Sequence, residues 1–222
     1  MEERDEALER ALAYPYAIPD RSYALVDGGV EDVDAAEADR ERRIALLAYG
    51  SNAAPEVLAR KLGPSEEASV VRTVLRDFDV VYSAHLSPYG AVPATLLRSP
   101  GTEAPAFVAY LTAEQLARVS PTEPNYELAR FDRPSCTVER GEAPAELRVY
   151  LSRHGALRLD GREVALAAID AHDRRLPAMS QRQVLERVRD AVRPGATLGE
   201  FVRNGPRGPL PTAGGLDRGE AP

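Results

Sequence analysis

Eight short stretches of strand character crowd the middle of this chain, and their spacing constrains the fold more than any other feature. Residues 43–49, 69–75, 78–84, 94–98, 106–111, 126–131, 135–139 and 146–152 are apolar, β-branched or aromatic, with polar or Pro/Gly breaks between them. A parallel pair of strands needs a crossover of about a dozen residues or more. Most of these gaps are shorter, so the strands cannot all be parallel. Helix signals fall between and after them. Residues 55–62 open with Pro at the first helical position and stop at Gly63-Pro64. Thr112 with Gln115, Ser180 with Gln183 and Thr197 with Glu200 have capping-box spacing. They predict helices over 112–119, 181–192 and 198–203. The sum is an α+β domain over residues 44–204: a small mixed, largely antiparallel and partly closed β-barrel with a few flanking helices.

The ends read differently. Residues 2–13 are strong helix formers with Leu8 and Leu12 on one face, and 14–43 mix turn residues with a charge run. Residues 1–43 hold 13 acidic and 6 basic residues, which accounts for the whole formal charge of −7; the remainder is balanced at 22 of each. An acidic arm on a neutral body argues against nucleic acid as a partner, since phosphate binding needs a basic patch. Residues 205–222 contain nine Gly or Pro and predict a disordered tail. The longest apolar runs, 44–49 and 164–169, have six residues where a membrane span needs about 20. The acidic start does not read as a signal peptide, and a lone Cys136 cannot make an intrachain disulfide. A cytoplasmic protein is expected. Of 28 basic residues only Lys61 is lysine, which reads as coding bias.

Two places carry candidate chemistry. Tyr49, Gly50, Ser51 and Asn52 lie between a predicted strand and a predicted helix. Gly50 permits a tight turn and close approach by a ligand, and Ser51 and Asn52 suit turn and N-cap positions. Amides at such a turn can receive a carboxylate or oxyanion. A plain capped turn that binds nothing is the competing reading. The second candidate is Glu123, just past the helix that starts at Thr112, in a loop stiffened by Pro121 and Pro124. Pro124 biases Glu123 toward extended backbone. A carboxylate at the negative end of a helix dipole takes a proton more readily, which suits a general base. A solvated loop glutamate is the competing reading.

Other chemistries have weaker patterns. His85, His154 and His172 lack metal-ligand spacing, so no metal is expected. Ser83 and His85 share a strand face, either as a nucleophile pair or as ordinary pairing on a β-face. Tyr49, Tyr82, Tyr110 and Tyr126 either line a pocket or fill the core. Phosphate-cradling glycine motifs are absent.

Taken together, residues 46–52 (Leu-Leu-Ala-Tyr-Gly-Ser-Asn) followed by a short helix resemble the N-terminal motif of the gamma-glutamylcyclotransferase-like superfamily. Residues 107–112, the helix after them, Glu123 and Tyr126 are similar to its second motif. The resemblance covers about residues 44–151. Pro124 stands where that family usually has Gly, and Ser120-Pro121 stand near its usual Asp. The resemblance implies release of 5-oxoproline from a γ-glutamyl amine or amide, a small-molecule substrate. Glu123 would be the acid/base, with Tyr49, Gly50, Ser51, Asn52 and Tyr126 binding substrate. It implies no metal and no organic cofactor. A non-catalytic module on the same fold, or another amide-cleaving acyltransferase, are the alternatives.

Overall fold

In the computed structural model the described residues are 5–27, 29–32, 42–132, 136–139, 142–211 and 216–218. Two long antiparallel strands, Ala68–Tyr82 and Ala94–Leu111, form the spine of the fold. Each joins two of the expected short strands. The polar break near Asp77 does not end the first strand, because a bulge between Arg76 and Phe78 absorbs the irregularity. Asp77 has φ 64°, Gly101 has φ 84°, and the Asp77 carboxylate accepts the Gly101 N–H at 2.8 Å. Side chain and backbone together carry the ladder through the expected gap.

Ile44–Ala48 lies antiparallel to Ala94–Leu111 on one side and parallel to Glu146–Ser152 on the other. Glu146–Ser152 in turn pairs antiparallel with Tyr126–Asp132. The result is a large, mainly antiparallel sheet with five α-helices among the described residues: α1 Glu6–Leu12, α2 Pro55–Leu62, α3 Ala113–Val119, α4 Gln181–Val192 and α5 Leu198–Asn204. The three expected capping boxes open α3, α4 and α5. The α+β class stands, with a mainly antiparallel sheet. The strand path runs from Ala178–Met179 to Tyr126–Asp132, and no closed ring is found among the described residues.

Alternation explains the apolar run at 44–49. Leu47 and Tyr49 pack in one hydrophobic cluster, with Val184, Val188 and Phe201 of the C-terminal helices. Leu46 and Ala48 pack in another, with Leu58, Leu62 and Leu116 of α2 and α3. A strand covered on both faces has no solvent side, so it reads as continuously apolar. Among the described residues no helix is long and apolar enough to cross a membrane.

Both ends depart from expectation. Residues 5–27 are not a separate arm: Ala11 and Tyr14 are buried in the first cluster, and Tyr23–Val26 pairs with the long strand through Tyr23 and Val70. The charge run at 34–41 lies outside the described residues. The expected tail is a correction only at 205–211 and 216–218; residues 212–215 and 219–222 lie outside the described residues. Gly208–Pro209 pairs with His85–Leu86, and Leu216–Arg218 pairs with Leu157–Leu159. Leu210 is 2% exposed and its N–H donates to the Ala84 carbonyl. Gly and Pro disfavour long regular elements, yet short two- and three-residue pairings remain open to such a segment, and one leucine anchors it. Leu210→Ala should lower the free energy of unfolding by about 2 kcal/mol, read from a urea midpoint.

Candidate functional site

Sequence dictates the first wall of the site. The strand Ile44–Ala48 stops at Tyr49-Gly50, a 3-10 turn covers Ser51–Ala53, and α2 starts at Pro55. Ala54, not Ser51 or Asn52, is the N-cap, and no side chain caps the helix. The Asn52 side chain is thus free to act elsewhere. Its Nδ2 donates to Glu123 Oε1 at 2.9 Å, and its Oδ1 accepts from Lys61 Nζ at 2.7 Å. The Ala53 and Ala54 amides bond back to Gly50 and Ser51. That leaves fewer loop donors for a ligand than the spacing alone implied.

Gly50 has a role that the sequence does not reveal. Its φ is −131°, so no positive φ demands glycine. The demand is steric: a Cβ there would lie 2.7 Å from the Tyr14 hydroxyl and 3.3 Å from Ala94 Cβ. Tyr14 thus occupies the close approach expected for a ligand, and its hydroxyl accepts the Ala94 N–H at 2.8 Å. Gly50→Val should displace this tyrosine and cost about 1–3 kcal/mol as overpacking does, measured by denaturant melts.

The second wall follows α3. A 3-10 turn, Ser120–Thr122, ends at Glu123, whose N–H donates to Ser120 O at 3.1 Å. Tyr126 N–H donates to Glu123 O at 3.0 Å. These bonds hold Glu123 at φ −117°, ψ 51°, so the turn overrides the extended ψ that Pro124 favours. Nor does the carboxylate stand alone at the helix end. Lys61 Nζ lies 2.5 Å from Glu123 Oε1, and the two side chains are only 14% and 13% exposed. Lys61 and Asn52 both converge on Oε1. No described residue donates a hydrogen bond to Oε2.

Tyr49, Gly50, Ser51, Asn52, Glu123 and Tyr126 all line one open cleft with about 130 Å³ of free volume. Tyr49 donates to the Tyr150 carbonyl and Tyr126 to the Ala94 carbonyl. Burial raises the pKa of both phenols, so they stay neutral and serve as hydrogen-bonding groups. Tyr82 and Tyr110 are core residues instead.

Ser83 and His85 do meet, with Ser83 Oγ 2.7 Å from His85 Nδ1, but Ser83 also bonds Ser152 Oγ at 2.6 Å and is fully buried. Pairing on the β-face is therefore the reading the structure favours. His85 reaches the cleft wall. Burial, with a smaller contribution from His154, lowers its pKa to about 3. The unfolded chain protonates this imidazole near the ordinary value of 6.5, the folded chain only near 3. Stability should therefore fall as pH drops through that window, and His85→Asn should flatten the fall in urea midpoints measured between pH 7 and pH 4.

Sequence reasoning passed over Lys61, Tyr14, Tyr16, Tyr89 and Tyr150 as site residues, all of which line the cleft. The one available signal was the singularity of Lys61 in an arginine-rich chain. Among the described residues no three or more His, Cys, Asp or Glu side chains group as metal ligands do.

No family model matches the sequence, and no curated protein matches it. Among solved structures the chain is similar to one titled "Gamma-glutamyl cyclotransferase", with 22% identity over 50% of this chain and 67% of that one, at a TM-score of 0.43.

Proposed function

We propose that this protein releases 5-oxoproline from a γ-glutamyl amine or amide by intramolecular aminolysis. One observation carries the reading: the Glu123 carboxylate meets Asn52 of the Tyr-Gly-Ser-Asn loop at 2.9 Å inside one open cleft. The substrate's α-amine attacks its own γ-carbonyl carbon. A five-membered lactam forms, the bond to the leaving nitrogen breaks, and one proton passes from the attacking to the leaving nitrogen. A single carboxylate can carry that proton, first as base and then as acid. Oε1 is anchored by Lys61 and Asn52, which leaves Oε2 for the proton. The Asn52 side-chain amide and the Lys61 ammonium, both bonded to the carboxylate, are the donors at hand for charge that develops on the carbonyl oxygen. Ring closure is unimolecular, so holding the chain bent accounts for much of the acceleration.

The test is 5-oxoproline release from a panel of γ-glutamyl amides, followed by chromatography. Release of the lactam with equimolar amine supports the reading. Hydrolysis to free glutamate points instead to an amide-cleaving acyltransferase, and no turnover at all points to a binding module.

A further inference from the structure

The distribution of tyrosine is the least expected feature of the cleft. The chain has nine tyrosines, and six of them line this one cavity; none of its four phenylalanines does. Three of the six form a continuous wall leading away from the loop. Tyr14 sits against Gly50, Tyr16 meets Tyr14 edge-on at 6.2 Å, and Tyr89 meets Tyr16 at 6.3 Å with the rings tilted by 50°. Arg10 covers Tyr89 with its guanidinium 5.0 Å from the ring centroid and is not itself a lining residue, so it backs the wall. Pro88 and Pro93 complete this end.

We infer that this wall is a subsite for the leaving amine, and that it selects an amine carrying a neutral aromatic ring. The inference rests on the proposed reaction, which puts the glutamyl half beside Glu123 and the amine half beyond it. Two observations choose the chemistry. Aromatic edges and faces favour another aromatic ring beyond the area it buries. Charge disfavours a polyamine: among the described residues Glu123 is the only carboxylate lining the cleft and is already paired with Lys61, while Arg60 and Lys61 add positive charge. A second ammonium would find repulsion and no counter-ion. Two of the three rings come from the segment ahead of residue 44, so the N-terminal residues decide what the loop and Glu123 act upon.

The experiment compares γ-glutamyl phenethylamide, cyclohexylethylamide and 4-aminobutylamide as substrates of the full chain. The cyclohexyl compound matches the apolar size of the phenethyl one without its π-faces. A parallel calorimetric titration uses the glutaryl counterparts, which lack the α-amine and cannot cyclise. The expected result is a kcat/KM and an affinity about 3- to 10-fold better for phenethyl than for cyclohexylethyl, with the aminobutyl compound worst. Tyr89→Leu and Tyr16→Asn should flatten the phenethyl preference and Tyr89→Phe should retain it, with circular dichroism reporting the fold. Asparagine is chosen because Tyr16 has φ 71°, which Asn tolerates. Equal values for phenethyl and cyclohexylethyl in wild type overturn the subsite, whatever the variants do. A glutaryl preference without any 5-oxoproline release leaves the subsite standing and removes the proposed reaction. Release without preference does the reverse, and absence of both removes both.

Discussion

Glu123→Gln is expected to slow 5-oxoproline release by about 10²–10⁴-fold while leaving the protein folded. Glutamine keeps the length and shape of the side chain but cannot accept a proton at the operating pH. It also keeps a carbonyl oxygen for Lys61 Nζ and Asn52 Nδ2, the two donors that hold Oε1. Glutamine gives up the counter-charge to Lys61 but keeps its acceptor, so the melting temperature should fall less than in Glu123→Ala. Glu123→Ala removes that acceptor and leaves the Lys61 ammonium, only 14% exposed, without its counter-charge. It should lose activity and stability together. The contrast separates a proton carrier from a structural anion. If wild type releases 5-oxoproline and the Gln variant turns over within a few-fold of it, the proton moves through another group.

Arg174→Ala should be the most destabilising single change outside the cleft, at about 3–5 kcal/mol in urea melts. Asp79 is 0% exposed and Arg174 is 12% exposed. Arg174 donates to both carboxylate oxygens, through Nε to Oδ2 at 2.9 Å and through a terminal nitrogen to Oδ1 at 2.8 Å, and also to the Leu166 carbonyl at 3.2 Å. The pair clamps the segment around 166–174 onto the long strand. Removing the guanidinium leaves a buried carboxylate whose one remaining donor among the described residues is the Val80 N–H. Most of the cost is that orphaned charge and not the loss of an attraction. The double variant Asp79→Leu with Arg174→Met should accordingly regain much of the stability that Arg174→Ala loses. A loss below about 1 kcal/mol for Arg174→Ala would mean that water reaches Asp79.

Neither ion pair is readable from the chain. Asp79 sits next to Val80 and Val81 in a strand pattern, 95 residues from its partner. Lys61 is 62 residues from Glu123 and falls in the last turn of a helix, where a lysine is ordinarily a solvated charge near the helix dipole. Partners separated this far leave no periodicity or spacing behind.

Local physics was legible because it acts over a few residues. Pro55 at a helix start and Gly63 at its stop placed α2, and the Thr112, Ser180 and Thr197 boxes placed α3, α4 and α5, since a cap satisfies its own neighbours' amides wherever the helix later docks. The same locality marked Tyr49 to Asn52 as a turn and Glu123 as the end of a helix. What the turn faces is another matter. The Tyr14 hydroxyl above Gly50, the Lys61 and Asn52 grip on Oε1 and the tyrosine wall all depend on how the strands Ile44–Ala48 and Ala94–Leu111 bring distant loops to one cleft. The ends were misread for the same reason. Composition at 205–222 records only the entropy a Gly/Pro-rich segment must lose, whereas the compensating burial of Leu210 and the pairing to His85–Leu86 exist only once the rest of the sheet is in place.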